Sequence, residues 1–170
     1  GRCDQSAVSF DGNTGSKSIV TQNVDGISGN SFSVCLYVQR KRQDVTEYLL
    51  SMGERTTRGA VEMSFLSDNK MRFSLYGDHT WTSSDFPSDT GVWVHWAFVY
   101  NKIGNAMGIF RDGVAQPLAS SGGSNGGTCG APTSATGAIH LGVNKWDPSD
   151  HPFNGKMDEL RVYAERALVL

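Results

Sequence analysis

Between Ala60 and Gly77 the chain reads AVEMSFLSDNKMRFSLYG, two runs of strict apolar–polar alternation joined by a short polar turn. Val61, Met63 and Phe65 share one parity in the first run; Met71, Phe73 and Leu75 share one in the second. Period-two alternation on both sides of SDNK requires a β-hairpin with one face turned to a core, because a helix would scatter these side chains around its axis. The pattern recurs. SFSVCLYVQ sets Phe32, Val34, Leu36 and Val38 against Ser33, Cys35, Tyr37 and Gln39, and AIHLGV alternates Ile139, Leu141 and Val143. AVSFDG places Val8 and Phe10 on one face before an Asp-Gly turn, YLLSMG is a short apolar strand, and MGIFR runs into a second such turn at Asp112-Gly113. GVWVHWAFVYN is apolar on both parities, which predicts a central strand covered on both sides, with Trp93 and Trp96 in the core.

Short strands, frequent turn signals, twenty glycines and no amphipathic helix predict an all-β chain, a two-sheet antiparallel β-sandwich. Its 170 residues fit one domain, 1–170, large enough for a substantial core without obligatory metals or disulfides. A net charge of -2 gives no electrostatic footprint for nucleic acid, and no apolar run approaches the roughly 18 residues that membrane insertion needs. The opening GRCDQ reads as a mature or excised fragment. ASSGGSNGGTCGAPTSATG, from Ala119 to Gly137, reads as a long surface loop within the domain. Of three cysteines, Cys35 sits mid-strand, while Cys3 and Cys129 lie in irregular segments. In a secreted protein Cys3 and Cys129 would form a disulfide; otherwise all three are reduced thiols, and their spacing fits no zinc site.

AVSFDGN, FSVCLYVQ, GVWVHWAFVYN, MGIFRDGV and HLGVN…FNGKMDELRVYAERAL follow one another in an order that resembles the laminin G-like, concanavalin A-like jelly-roll domains of adhesion proteins and multidomain carbohydrate-active enzymes. The resemblance covers nearly the whole chain. It implies a jelly roll whose first and last strands lie side by side, and a setting outside the cell or on its surface.

In FNGKMDELRVY, simple alternation puts Asp158 in line with Leu160 and Val162, which should point into the core. A buried unpaired carboxylate is costly or stays protonated. Two arrangements avoid this: Asp158 accepts backbone N–H groups at a turn, or it ligates a hard cation together with neighbouring oxygens. The resemblance implies that the FDGN turn lies beside this strand and that, as in many relatives, a structural Ca2+ is held there, which names Asp11, Asn13 and Asp158 as its ligands.

Catalytic patterns fail. Retaining glycosidases need two carboxyl groups roughly 5–5.5 Å apart, yet Asp158 and Glu159 are adjacent on a strand and Glu62 stands alone. GGSNG, Gly122–Gly126, matches a nucleophile elbow only formally, since no strand precedes it and no helix follows. His79, His95, His140 and His151 are scattered without metal spacing, and His95 reads as a sheet residue. The chain is expected not to be an enzyme. For ligand binding, sugars call for an aromatic platform beside Asp, Asn or His. NKWDPSDHPF supplies Trp146, Asp147, Asp150 and His151; YGDHTWTSSDF supplies Asp78, His79 and Trp81. The alternative is that both tryptophans cap the edge of the core and the acids make turns. Arg40, Lys41 and Arg42 are expected in a solvated turn after a strand. The expected function is a non-catalytic extracellular recognition module binding a glycan or glycoprotein, with other domains of a larger protein as further partners. The rivals are a structural protein–protein interaction domain and an accessory domain of a polysaccharide-degrading enzyme.

Overall fold

The structure is a computed structural model, and it describes residues 7–13, 18–82, 84–86, 89–121 and 130–168. Cys3, Cys129 and their expected disulfide lie outside the described residues, as does the GGSNG segment. In chain order the strands are β1 (Val8–Asp11), β2 (Ile19–Val24), β3 (Phe32–Arg40), β4 (Glu47–Gly53), β5 (Ala60–Phe65), β6 (Met71–Leu75) and β7 (Asp78–Thr82). They continue with β8 (Val94–Asn101), β9 (Ala106–Arg111), β10 (Val114–Ala115), β11 (Leu118–Ser121), β12 (Gly137–Leu141) and β13 (Asn154–Ala164). No helix occurs among the described residues.

All pairings are antiparallel within two sheets, ordered β1-β13-β3-β8-β9-β10 and β11-β7-β6-β5-β4-β12-β2. The apolar parities meet between them. Phe32 of β3 lies edge-on to Phe73 of β6 at 5.9 Å, Phe73 to Phe98 of β8 at 5.7 Å, and Phe65 of β5 to Trp96 of β8 at 6.0 Å. Buried aromatic pairs of this kind join the sheets face to face, the arrangement expected of a sandwich. The β5–β6 hairpin has the predicted register, Val61↔Leu75 through Phe65↔Met71, and its turn uses Asn69 at φ 57. Asp112 and Gly113 both take left-handed backbone, φ 50 and 79, the geometry of a type I′ hairpin turn. The first and last strands are neighbours: Val8 faces Met157 and Asp11 faces Asn154. β8 is interior in its sheet, although Trp93 is only half-buried and lies just before the strand rather than in the core.

Three expectations need correction. First, alternation breaks in β13. Met157 faces Val38 and Asp158 faces Tyr37, but Arg161, not Leu160, comes opposite Cys35. Glu159 and Leu160 together oppose Leu36, a β-bulge, with Glu159 at φ 50. The extra residue reverses parity, so Leu160 and Val162 pack on the core while Asp158 stands half-buried on the opposite face, with Tyr37. The carboxylate never enters the core; Asp158 Oδ1 accepts the Glu159 backbone N–H at 2.8 Å. Second, Arg40 is not in a solvated turn. It ends β3 at 2% exposure, paired with Asp89 and stacked over Phe65 at 4.6 Å. Arg42 binds the buried Glu47 at 2.6 Å. Third, the expected cation ligands are not assembled. Asp11 sits opposite Asn154, four residues along β13 from Asp158, and its Oδ1 accepts the Asn13 N–H at 3.0 Å as a local turn. Asp11, Asn13 and Asp158 therefore do not fit a shared calcium site. Among the described residues no cluster of three or more Asp, Glu, His or Cys could hold a metal.

Candidate functional site

Register builds the site. In β5 and β6 the apolar parity faces the core, so Glu62, Ser64, Arg72 and Ser74 face outward from the seven-stranded sheet. Pairing across strands lines such residues into rows, with neighbours in a row about 4.8 Å apart. One row runs Trp81–Arg72–Ser64–Tyr48, from β7 to β4. The next runs His79–Ser74–Glu62–Ser51–His140, from β7 to β12.

Arg72 organises the first row. Its Nε donates to Ser64 Oγ at 3.1 Å and its Nη2 to Tyr48 Oη at 3.2 Å, with the guanidinium over the Tyr48 ring at 5.6 Å. In the second row His79 Nδ1 and Ser74 Oγ are 2.6 Å apart. Burial, then the nearby Arg72 charge, hold the His79 pKa below its ordinary value, so the ring is neutral at neutral pH. Glu62 is 4% exposed, and burial raises its carboxyl pKa against the opposing pull of Arg72 and Arg55, while Asp150 adds to the rise.

The segment between β12 and β13 folds across the same face. Ser51 Oγ donates to the Val143 carbonyl at 2.9 Å and accepts the Lys145 N–H at 2.8 Å. That anchors Trp146, half-buried, with Arg55 over its ring at 5.0 Å and Lys145 Nζ at 5.7 Å. Asn144 ties the parts together: its Oδ1 accepts from Arg55 at 3.4 Å and its Nδ2 donates to Asp150 Oδ2 at 3.0 Å. Glu62 Oε1 and Trp146 Nε1 are buried and meet no hydrogen-bond partner among the described residues. Buried polar atoms are normally paired, so an acceptor and a donor are left over beside one another's neighbours here.

Of the residues expected from sequence, Trp146, Asp150, His79 and Trp81 thus converge on one face although 65 or more positions separate the two segments. Asp78 does not join them. It pairs with Leu75 on the other parity and lies 3.9 Å from Arg58. Asp147 is exposed and serves its turn, accepting from Ser149 N and Oγ at 3.1 and 2.6 Å, which lowers its pKa. His151 is exposed at φ 55 beside Asp150. Sequence reading missed Arg72, Glu62, Tyr48 and Arg55. For the first two the signal was present, as the polar half of the alternating hairpin.

A sequence model described as the concanavalin A-like lectin/glucanases superfamily, of laminin G type, matches residues 11–169. The chain belongs to this superfamily. No curated protein matches it. Among solved structures it is similar to the native heptameric SAP-like pentraxin of Limulus polyphemus, with TM-score 0.69, 17% identity and coverage of 96% of this chain and 77% of that one. It is also similar to domain 4 of AbnA, a GH43 extracellular arabinanase from Geobacillus stearothermophilus, solved with arabinotriose (TM-score 0.62, 25% identity, 96% and 72% covered). The CBM40 of the Ruminococcus gnavus IT-sialidase, bound to α2,3 sialyllactose, gives a TM-score of 0.63 at 12% identity, covering 90% and 91%. The superfamily membership and these likenesses establish a lectin-type sandwich fold. They leave chemistry to the site itself.

Proposed function

We propose that this domain is a non-catalytic, extracellular carbohydrate-recognition module that binds a glycan on the outer face of its seven-stranded sheet. The observation that carries the reading is the convergence of Trp81, Arg72 and Tyr48 in one row with the Trp146 segment folded over the next. Aromatic faces suit the apolar face of a pyranose or furanose ring, while the Arg72 and Arg55 forks and the Glu62 and Asp150 oxygens suit its hydroxyls. The oligosaccharides held by the AbnA and CBM40 domains agree with this reading. Within its row Glu62 has serines on both sides, and Asp150, the carboxylate that acts on it from the segment folded across the sheet, is tied to Asn144.

A glycan array probed with the domain tests the proposal, with and without EDTA so that any need for calcium shows in the same experiment. We expect binding of at least one oligosaccharide class and a loss of tenfold or more in Arg72→Ala and Trp81→Ala. Hydrolysis of a bound glycan, or no binding to any array member, would reject the reading.

A further inference from the structure

The outer face of the six-stranded sheet carries a cavity of about 230 Å³ that no part of the site above touches. It opens where β13 is bulged. Tyr37 of β3 and His95 of β8 are register partners, with rings 4.9 Å apart and tilted at 54°, and they form an aromatic wall. Cys35, 6% exposed, and Leu168 add apolar surface. Tyr163 contributes a phenol, and the bulge throws Glu159 onto this face beside Arg161. Bulges recur beside binding sites because they re-aim a side chain, and a left-handed non-glycine residue is retained where the surroundings dictate it.

The chemistry of the lining selects its ligand. Arg161 Nη2 and Glu159 Oε2 are 2.8 Å apart and cancel one another. Burial lowers the His95 pKa, with Arg161 adding to the fall and Asp112 and Glu159 opposing it, so the imidazole is neutral; burial also raises the Cys35 pKa and keeps the thiol protonated. The paired charges leave the lining no net charge to draw in an ionic ligand. What is left is a wall of ring faces fringed by a phenol, an imidazole, a guanidinium and a carboxylate, which pairs with an apolar ring bearing hydroxyls. The volume lies below the roughly 300–1,000 Å³ of pockets for drug-sized ligands, which suits a single ring.

We propose that this cavity is a second binding site, specific for a single uncharged sugar residue, on the sheet opposite the first. It does not depend on the glycan site proposed above. The test is NMR titration of the domain, following the His95 ring protons, with glucose, galactose, mannose and arabinose, and with glucuronate and glucosamine as charged probes. Each is taken to roughly 50 mM, where a Kd of about 1 mM would be saturated. We expect saturable shifts from at least one neutral sugar, retained in Arg72→Ala. The decisive variant is Glu159→Gly, which deletes the carboxylate and suits the left-handed backbone. It should melt no lower than the wild type yet bind at least tenfold more weakly, a combination that a purely structural role for Glu159 does not give. Should Glu159→Gly melt lower, Tyr37→Phe with Tyr163→Phe, which removes only hydroxyls, must weaken binding at least threefold. The proposal is overturned by silence of His95 towards every neutral sugar, by stronger binding of either charged probe, or by unchanged affinity in these variants.

Discussion

The two outer faces handle charge in opposite ways. On the seven-stranded sheet, the regular register of β5, β6 and β7 sets Arg72 and Glu62, half-buried and buried, in adjacent rows, and a bulge in β4 between Tyr48 and Leu50 brings Ser51 opposite Glu62. On the six-stranded sheet, register is broken, and Glu159 and Arg161 pair two residues apart at 43% and 61% exposure. Pairing among β5, β6 and β7 therefore assembles a face whose charges depend on long-range partners, whereas the β13 bulge builds a local one whose charges answer to water. The first kind of charge is coupled to folding; the second is nearly free of it.

The largest expected break in that contrast is Arg72→Ala. It removes the donors to Ser64 and Tyr48 and the foremost cation acting on Glu62. Leaving a buried carboxylate with less compensation should cost about 2–4 kcal/mol in urea unfolding at pH 7. Truncation of Arg161 on the other face should cost under about 1 kcal/mol, as exposed pairs do. Equal losses for the two would erase the distinction.

A sharper probe is Glu62→Gln. Burial raises the folded-state pKa of Glu62 above its ordinary 4.5. A raised carboxyl pKa means that the folded state holds the proton more tightly than the unfolded chain does. The favourable contribution is then complete below pH about 4.5 and is lost as pH rises through the folded pKa. Glu62→Gln, neutral throughout, should gain on the wild type as pH rises from 4 to 8, and the gap should close on acidification. A gap that widens towards acid would reverse the assignment. The effect is expected to be smaller than that of Arg72→Ala because both cations remain to face the amide.

Legibility from sequence follows the same division. The hairpin from Ala60 to Gly77 announced its core and, in Glu62, Ser64, Arg72 and Ser74, the residues of its opposite face, because strand alternation is a rule of geometry. Pairing between segments far apart was not readable, so Trp81 and Trp146 were expected to serve one ligand on their composition alone, without the sheet face that carries both. Arg40 looked like one member of a basic turn because its partner Asp89 lies 49 positions away. The bulge was hidden for another reason. Glycine or asparagine usually marks left-handed backbone, and Glu159 carries neither signal. Alternation was thus carried through MDELRV, and one misplaced residue turned Asp158 from the outer face to the core.

That inversion leaves the smallest and most discriminating effect, at Asp158. Simple alternation would make Asp158→Ala a core substitution, relieving or exposing a buried charge at a cost of several kcal/mol, about 3 or more. The bulge makes it something else. Asp158 is half-buried opposite Tyr37, and among the described residues its Oδ1 accepts the N–H of Glu159, the residue that adopts left-handed backbone. Losing one side-chain-to-backbone bond of that sort should cost about 0.5–1.5 kcal/mol, read as a small drop in urea midpoint with an unchanged slope. EDTA should not alter the difference between mutant and wild type, since Asp11 and Asn13 are not gathered around this carboxylate. A loss above about 3 kcal/mol, or one that chelator abolishes, would return Asp158 to the interior and with it undo the parity reversal on which the cavity at Glu159 depends.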